Sequence, residues 1–168
     1  IPLPRMGDYC DGIERINIEL SLRNKLQLCD ALSDFLQADL PVRSYSDDVE
    51  KADLIGDRRL LAIDLLASVQ ARWLWLYQNL DLPLATAELA FADLGIEASE
   101  LTNKADQPTL FHRIQDHSIR VSWKQELLPG LKEIFNGDHF RPVIERIEAV
   151  HKEILRGRVF VALHMHAG

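Results

Sequence analysis

The 168-residue chain is short of the residue types that announce most chemistries. It has two cysteines, Cys10 and Cys29, and no C-x-x-C pair. That excludes the common zinc and dithiol motifs. On one continuous helix their separation would be about 28 Å at 1.5 Å per residue. A disulfide tolerates roughly 7 Å between Cα atoms, so both are expected to be reduced packing residues. The 8 glycines are scattered, with no phosphate loop, no G-x-G-x-x-G and no G-x-S-x-G. A flavin or nucleotide pyrophosphate therefore finds no glycine-rich turn here, and no cofactor is expected on this chain alone. Basic charge is scarce: Lys and Arg number 19 against 26 Asp and Glu, a net charge of -7. Nucleic acid and anionic membranes need a basic face, so neither is expected as a partner. No apolar run reaches the ~18 residues of a membrane span. No basic n-region followed by an apolar h-region opens the chain, and the expected location is cytoplasmic.

What is present is helical periodicity in a chain that is 47% apolar. Ile1–Pro4 carries two prolines and is expected to be extended, as an edge strand. From Met6 to about Asp39, apolar residues recur at three and four, shifting from Ile13, Ile16 and Leu20 to Leu22, Leu26, Cys29, Leu32 and Leu36. This predicts a long amphipathic helix, weakened at Gly12 and ended by Leu40-Pro41. Residues 41–56 read as a polar loop. A second helix runs from Asp57 to about Leu80, apolar on more than one face and expected to be the most buried. A short helix over 86–94 stops at Gly95. A second polar loop follows to Pro108. Thr109 to Phe135 reads as helical with a break at Pro129-Gly130. A last helix, 140–155, leads to an apolar strand, Val159–His166. The predicted fold is mainly α: a helical bundle flanked by two short strands. Two strands alone do not make a stable sheet, so they are expected to belong to an incomplete α+β domain.

The candidate chemistry sits at the end, in VFVALHMHAG. Residues i and i+2 of a strand share a face about 6.6 Å apart. His164 and His166 are thus candidate metal ligands, although two imidazoles do not complete a site. The spacing is a weak signal, and its plainer reading is two exposed histidines at a sheet rim. His112 and His117 are five apart and do not share a helix face. His112 and Asp116 are placed to pair at the surface. His139 and His151 stand alone. Trp73 and Trp75 point to opposite sides of a helix, so Trp73 is expected in the core and Trp75 against another surface.

The H-A-G at His166, preceded by the strand Val159–Leu163, resembles the entry to the H-x-G-D-G-N-x-H run of the C-terminal (cap) domain of FAD-linked oxidases. That group includes the D-lactate, glycolate and D-2-hydroxyglutarate dehydrogenases. Ile1-Pro2-Leu3-Pro4-Arg5-Met6 is similar to the first cap-domain strand and its turn into a helix. Phe140–Leu155 is similar to the helix before the histidine run. Residues 40–135 resemble instead the helical enlargement of large proteobacterial FAD/FMN-binding oxidoreductases that also carry iron–sulfur domains. The stretch Asp11-Gly12-Ile13-Glu14-Arg15-Ile16-Asn17-Ile18-Glu19-Leu20 suggests that subgroup.

The resemblance implies a piece of a larger flavoenzyme, starting at Ile1 and stopping just past His166. Residues 1–39 would be the first strand and long helix of the cap domain, 40–137 a helical insertion, and 138–168 the helix and strand leading into the truncated histidine motif. His166 would be the catalytic residue and a ligand to a divalent metal, with His164 a second metal candidate. The parent would oxidise a small 2-hydroxy acid using FAD and pass electrons to iron–sulfur clusters. Its FAD-binding and iron–sulfur domains would be this segment's partners, and the fragment alone would be inactive. The alternative is a helical docking module for iron–sulfur domains or for oligomerisation. A third reading is a free-standing helical bundle with no enzymatic link.

Overall fold

The computed structural model describes residues 3–44, 50–99 and 109–157. The expected final strand, Val159–His166, lies outside them. The described chain is mainly helical. In order come α1 (Leu3–Gln37), α2 (Lys51–Ile55), α3 (Arg58–Gln78), α4 (Leu84–Ala87), α5 (Phe91–Leu94), α6 (Leu110–Gln115), α7 (Trp123–Glu126), α8 (Leu128–Ile134) and α9 (Arg141–Gly157). Short 3₁₀ turns, Glu88–Ala90 and Asp138–Phe140, precede α5 and α9. Extended pairing among the described residues is limited to isolated antiparallel bridges, Pro83 with Thr109 and Ala98 with Ile119.

Three expectations are corrected. Leu3 and Pro4, expected in a strand, form the first turn of α1. Proline is compatible with that position, because a first-turn N–H has no intrahelical partner to lose. The polar stretch before Gly56 is not all loop, since it contains α2. The break expected at Pro129-Gly130 is elsewhere. Residues 109–135 divide at Asp116–Ser122 and again at Leu127, while Pro129 sits in the first turn of α8. Gly130 is explained by packing instead. A Cβ there would lie 2.6 Å from Cδ2 of Leu65, so glycine lets α8 approach α3 closely.

The chain forms two compact units. The first contains α1 up to Asn24 together with Arg72–Val121, and the second contains Lys25–Ala71 and Ser122–Gly157. In the first, Leu22, Trp73, Leu76, Leu80, Leu110 and Ile119 are buried. Trp75 meets Phe91 edge-on at 6.3 Å between ring centroids. The tryptophan split expected from helical geometry is thus observed. In the second, Cys29, Leu32, Leu36, Ala62, Leu66, Val69, Leu131, Val143 and Ile147 are buried. Helix α3 carries one fully buried stripe. Ala62, Leu66, Val69, Trp73 and Leu76 are inside, while Leu60 and Leu61 face out.

Two adjacent arginines close helix ends in the second unit. Arg58 donates from Nε to the Ile134 carbonyl at 3.1 Å and from Nη1 to the Leu54 carbonyl at 2.9 Å. Its guanidinium lies 4.5 Å over the Phe140 ring. Arg59 Nη1 donates to the carbonyls of Leu36 and Ala38. The last carbonyls of a helix lack intrahelical donors and carry the negative end of its dipole. Positive charge at the ends of α1, α2 and α8 meets both needs.

Candidate functional site

The predicted site residues His164 and His166 lie outside the described residues. Among those described, no group of three or more His, Cys, Asp and Glu side chains is arranged to hold a metal ion. The remaining histidines fall into different roles. His112 turns its Nδ1 to Thr109 Oγ1 at 2.8 Å rather than to Asp116, the partner expected for it. Asp116 Oδ1 instead accepts the Ser118 N–H at 2.9 Å. His139 Nδ1 meets the Arg43 carbonyl, and Arg43 N–H donates back to the His139 carbonyl. His151 stacks on Trp123, with ring centroids 4.3 Å apart.

His117 is different. Its φ is 63°, and among the described residues it alone combines positive φ with a side chain beyond glycine. It stands just past the end of α6, in the left-handed position where a helix usually stops on glycine. Its N–H donates to the Ile114 carbonyl, and Ile119 N–H donates back to the Arg113 carbonyl, so the turn is tightly bonded. The imidazole is exposed. Departures of this kind gather at functional sites.

The surroundings of His117 form an open cleft of about 360 Å³ within the first unit. One wall is α1, and the other is α6 with the extended residues after it. Ile18, Leu22, Ile114, Ile119 and Val121 supply aliphatic surface. Glu14, Asn17, Ser21, Gln115 and His117 supply polar groups. Gln115 Nε2 donates to Glu14 Oε2 across the cleft, leaving Oε1 open. Asn17 Oδ1 is buried without a hydrogen-bond partner. Leaving a buried acceptor unsatisfied costs about 1–3 kcal/mol, so the amide has something to gain from a donor.

The cleft wall is fixed by Arg15, the neighbour of Glu14. Its Nε donates to Glu19 at 2.7 Å, while Nη1 and Nη2 donate to the two Asp81 oxygens at 2.7 and 3.1 Å. The guanidinium also sits 5.2 Å from the Phe111 ring centroid. The hydrogen bond from Arg15 holds the Asp81 carboxyl below the usual carboxylate range. Behind α6, Arg113 donates to the Ser99 carbonyl and to Glu88 Oε1.

No family model, characterised protein or solved structure matches this chain. The cleft escaped sequence reasoning because its polar residues are spread between α1 and α6. Their meeting depends on the chain path, which no local spacing encodes.

Proposed function

We propose that the chain is a helical segment and first half of the cap domain of an FAD-dependent oxidoreductase that oxidises a 2-hydroxy acid. The observation that carries the reading is the sequence VFVALHMHAG, with its resemblance to the FAD-linked oxidase histidine run. Support comes from α9, an amphipathic helix with Val143, Ile147 and Val150 buried, which ends at Gly157, one residue before that sequence. The resemblance calls for a helix in that place. In this reading His166 faces the flavin and contributes to a divalent metal, which would lower the pKa of the substrate hydroxyl. FAD and iron–sulfur clusters belong to other domains of the parent. The three segments 1–39, 40–137 and 138–168 keep the roles given above.

The test is made in the full-length parent. Flavin reduction by D-lactate, glycolate and D-2-hydroxyglutarate is followed at the flavin absorption band, with metal content measured alongside. His166→Ala is expected to lose bound metal and about 100-fold in reduction rate, and His164→Ala to lose far less. A parent without flavin, or a His166→Ala protein that reduces normally, would overturn the proposal.

A second reading, a docking module for iron–sulfur domains or for self-association, draws on Leu60 and Leu61. These neighbours on α3 are 65% and 48% exposed. It expects a complex in light scattering of the parent that Leu60→Ser with Leu61→Ser dissolves. An unchanged mass would exclude it.

A further inference from the structure

We propose that the cleft between α1 and α6 binds a small aliphatic amine in its ammonium form. The inference stands apart from the flavoenzyme reading and uses only the first unit. The cleft holds acceptor atoms whose capacity is unmet among the described residues. Glu14 Oε1 is an open carboxylate oxygen, and Asn17 Oδ1 is an acceptor without a donor. The exposed His117 ring makes no hydrogen bond among the described residues and accepts through one nitrogen when neutral. A primary ammonium offers three donors and no acceptor. It therefore matches this set, whereas a carboxylate ligand would face Glu14 with like charge.

The rest of the cleft fixes the other end of the ligand. Ile18, Leu22, Ile114, Ile119 and Val121 are aliphatic, and no Phe, Tyr or Trp is among the described residues that line the cleft. A short alkyl chain fits such a bed. The volume of about 360 Å³ is at the lower end for small-molecule sites, which suits a ligand of a few heavy atoms. Electrostatics agree. Glu14 is the fixed charge on the lining, and the nearest cation on the same helix, Arg15, is already held by Glu19 and Asp81. Binding draws the Asn17 amide round toward the ammonium and relieves its unpaired oxygen. The left-handed turn at Asp116–Ser118 presents the His117 ring on the rim, where glycine would present nothing.

The experiment follows backbone amide shifts of the ¹⁵N-labelled 168-residue chain. The probes are n-butylammonium chloride, n-butanol and sodium n-butyrate. Saturable shifts confined to the amides around Glu14–Leu22 and Ile114–Val121 are expected with butylammonium alone. Butanol and butyrate are expected to bind at least about tenfold more weakly, as is butylammonium to Glu14→Gln, because a charge-assisted bond is lost. Asn17→Ala tests the second acceptor, with the remaining amide positions reporting that each variant is folded. Shifts spread over exposed carboxylates, equal binding of butanol, or undiminished binding to both variants would overturn the proposal.

Discussion

His117→Gly is expected to stabilise the protein, and the size of the gain follows from the backbone. An L-residue in the left-handed region pays about 1–2 kcal/mol that glycine does not. Against this, glycine adds freedom to the unfolded chain, a cost of about 0.4–1 kcal/mol. The exposed imidazole makes no hydrogen bond among the described residues, so little is lost with the ring. The net expectation is a gain of about 0.5–1 kcal/mol, or about 1–4 °C in Tm for a chain of this size. Urea unfolding followed by far-UV circular dichroism measures it, provided the m-value is unchanged. His117→Ala is the control. It keeps the Cβ and the strain while removing the ring, and it should match the wild type. If glycine at 117 leaves the midpoint unmoved or lowers it, the turn stores no strain. A large loss in His117→Ala would instead reveal ring contacts that the geometry lacks.

Other outcomes follow from single residues. Gly12 lies inside α1 with open space around its Cβ position, whereas Gly137 has φ 91°. Gly12→Ala should therefore gain up to about 1 kcal/mol and Gly137→Ala should lose at least as much, read by the same unfolding midpoints. Burial pushes the Cys29 thiol up to about 12. In a Cys10→Ser background it should resist iodoacetamide until the protein unfolds, and rapid labelling of the folded protein would contradict its burial. Because the unfolded thiol ionises near about 8.5 while the native one keeps its proton, this group's contribution to stability should fall as pH rises above that value. Asp81→Asn should cost no more than about 1 kcal/mol at neutral pH, since the carboxylate is 82% exposed and solvent screens the pair. Its carboxyl is held low by Arg15, so the contribution is present above the unfolded value near about 3.9. The difference from wild type should shrink as pH falls below that, and a constant difference down to acid pH would rule the ion pair out as its source.

Helix identity was legible wherever apolar spacing is strong, and least so where packing decides. The stripe Cys29, Leu32, Leu36 is buried as its period requires, and so is Val143, Ile147, Val150. Gly95 was legible as a stop, and it caps α5 at φ 71°. Pro129-Gly130 misled because their local meaning, a helix break, is reversed by context. The proline falls in a first turn and the glycine faces Leu65. The opposite error occurs at Asp116–Ser118. That stretch contains neither glycine nor proline, yet it stops α6 through an aspartate that accepts the Ser118 N–H and a histidine in the left-handed region. The cleft inherits that illegibility, since its rim is this turn. The acceptors Glu14 and Asn17 sit three apart on α1, a spacing that by itself says only that they share a face.

The arginines explain why an acidic chain can present an acceptor-rich cleft. With 19 basic against 26 acidic residues, each cation tied up inside the fold leaves the surface more negative. Arg58 and Arg59 are committed to backbone carbonyls at helix ends. Arg15 is committed to Asp81 and Glu19, and Arg113 to Glu88 and the Ser99 carbonyl. Exposed surface pairs are worth little on their own, but these guanidiniums also satisfy carbonyls or cover aromatic rings, so their value is structural. Arg15 shows the consequence most directly. It follows Glu14 in sequence but does not share its face of α1, and Asp81 and Glu19 hold it, so Glu14 keeps an oxygen unpaired in the cleft. The same distribution argues against an anionic partner at this face and favours a cation. If Arg15→Gln left the Glu14 side chain and the cleft amides unchanged in chemical shift, Arg15 would not be what sets the wall, and the link between its ion pairs and the open carboxylate would have to be given up.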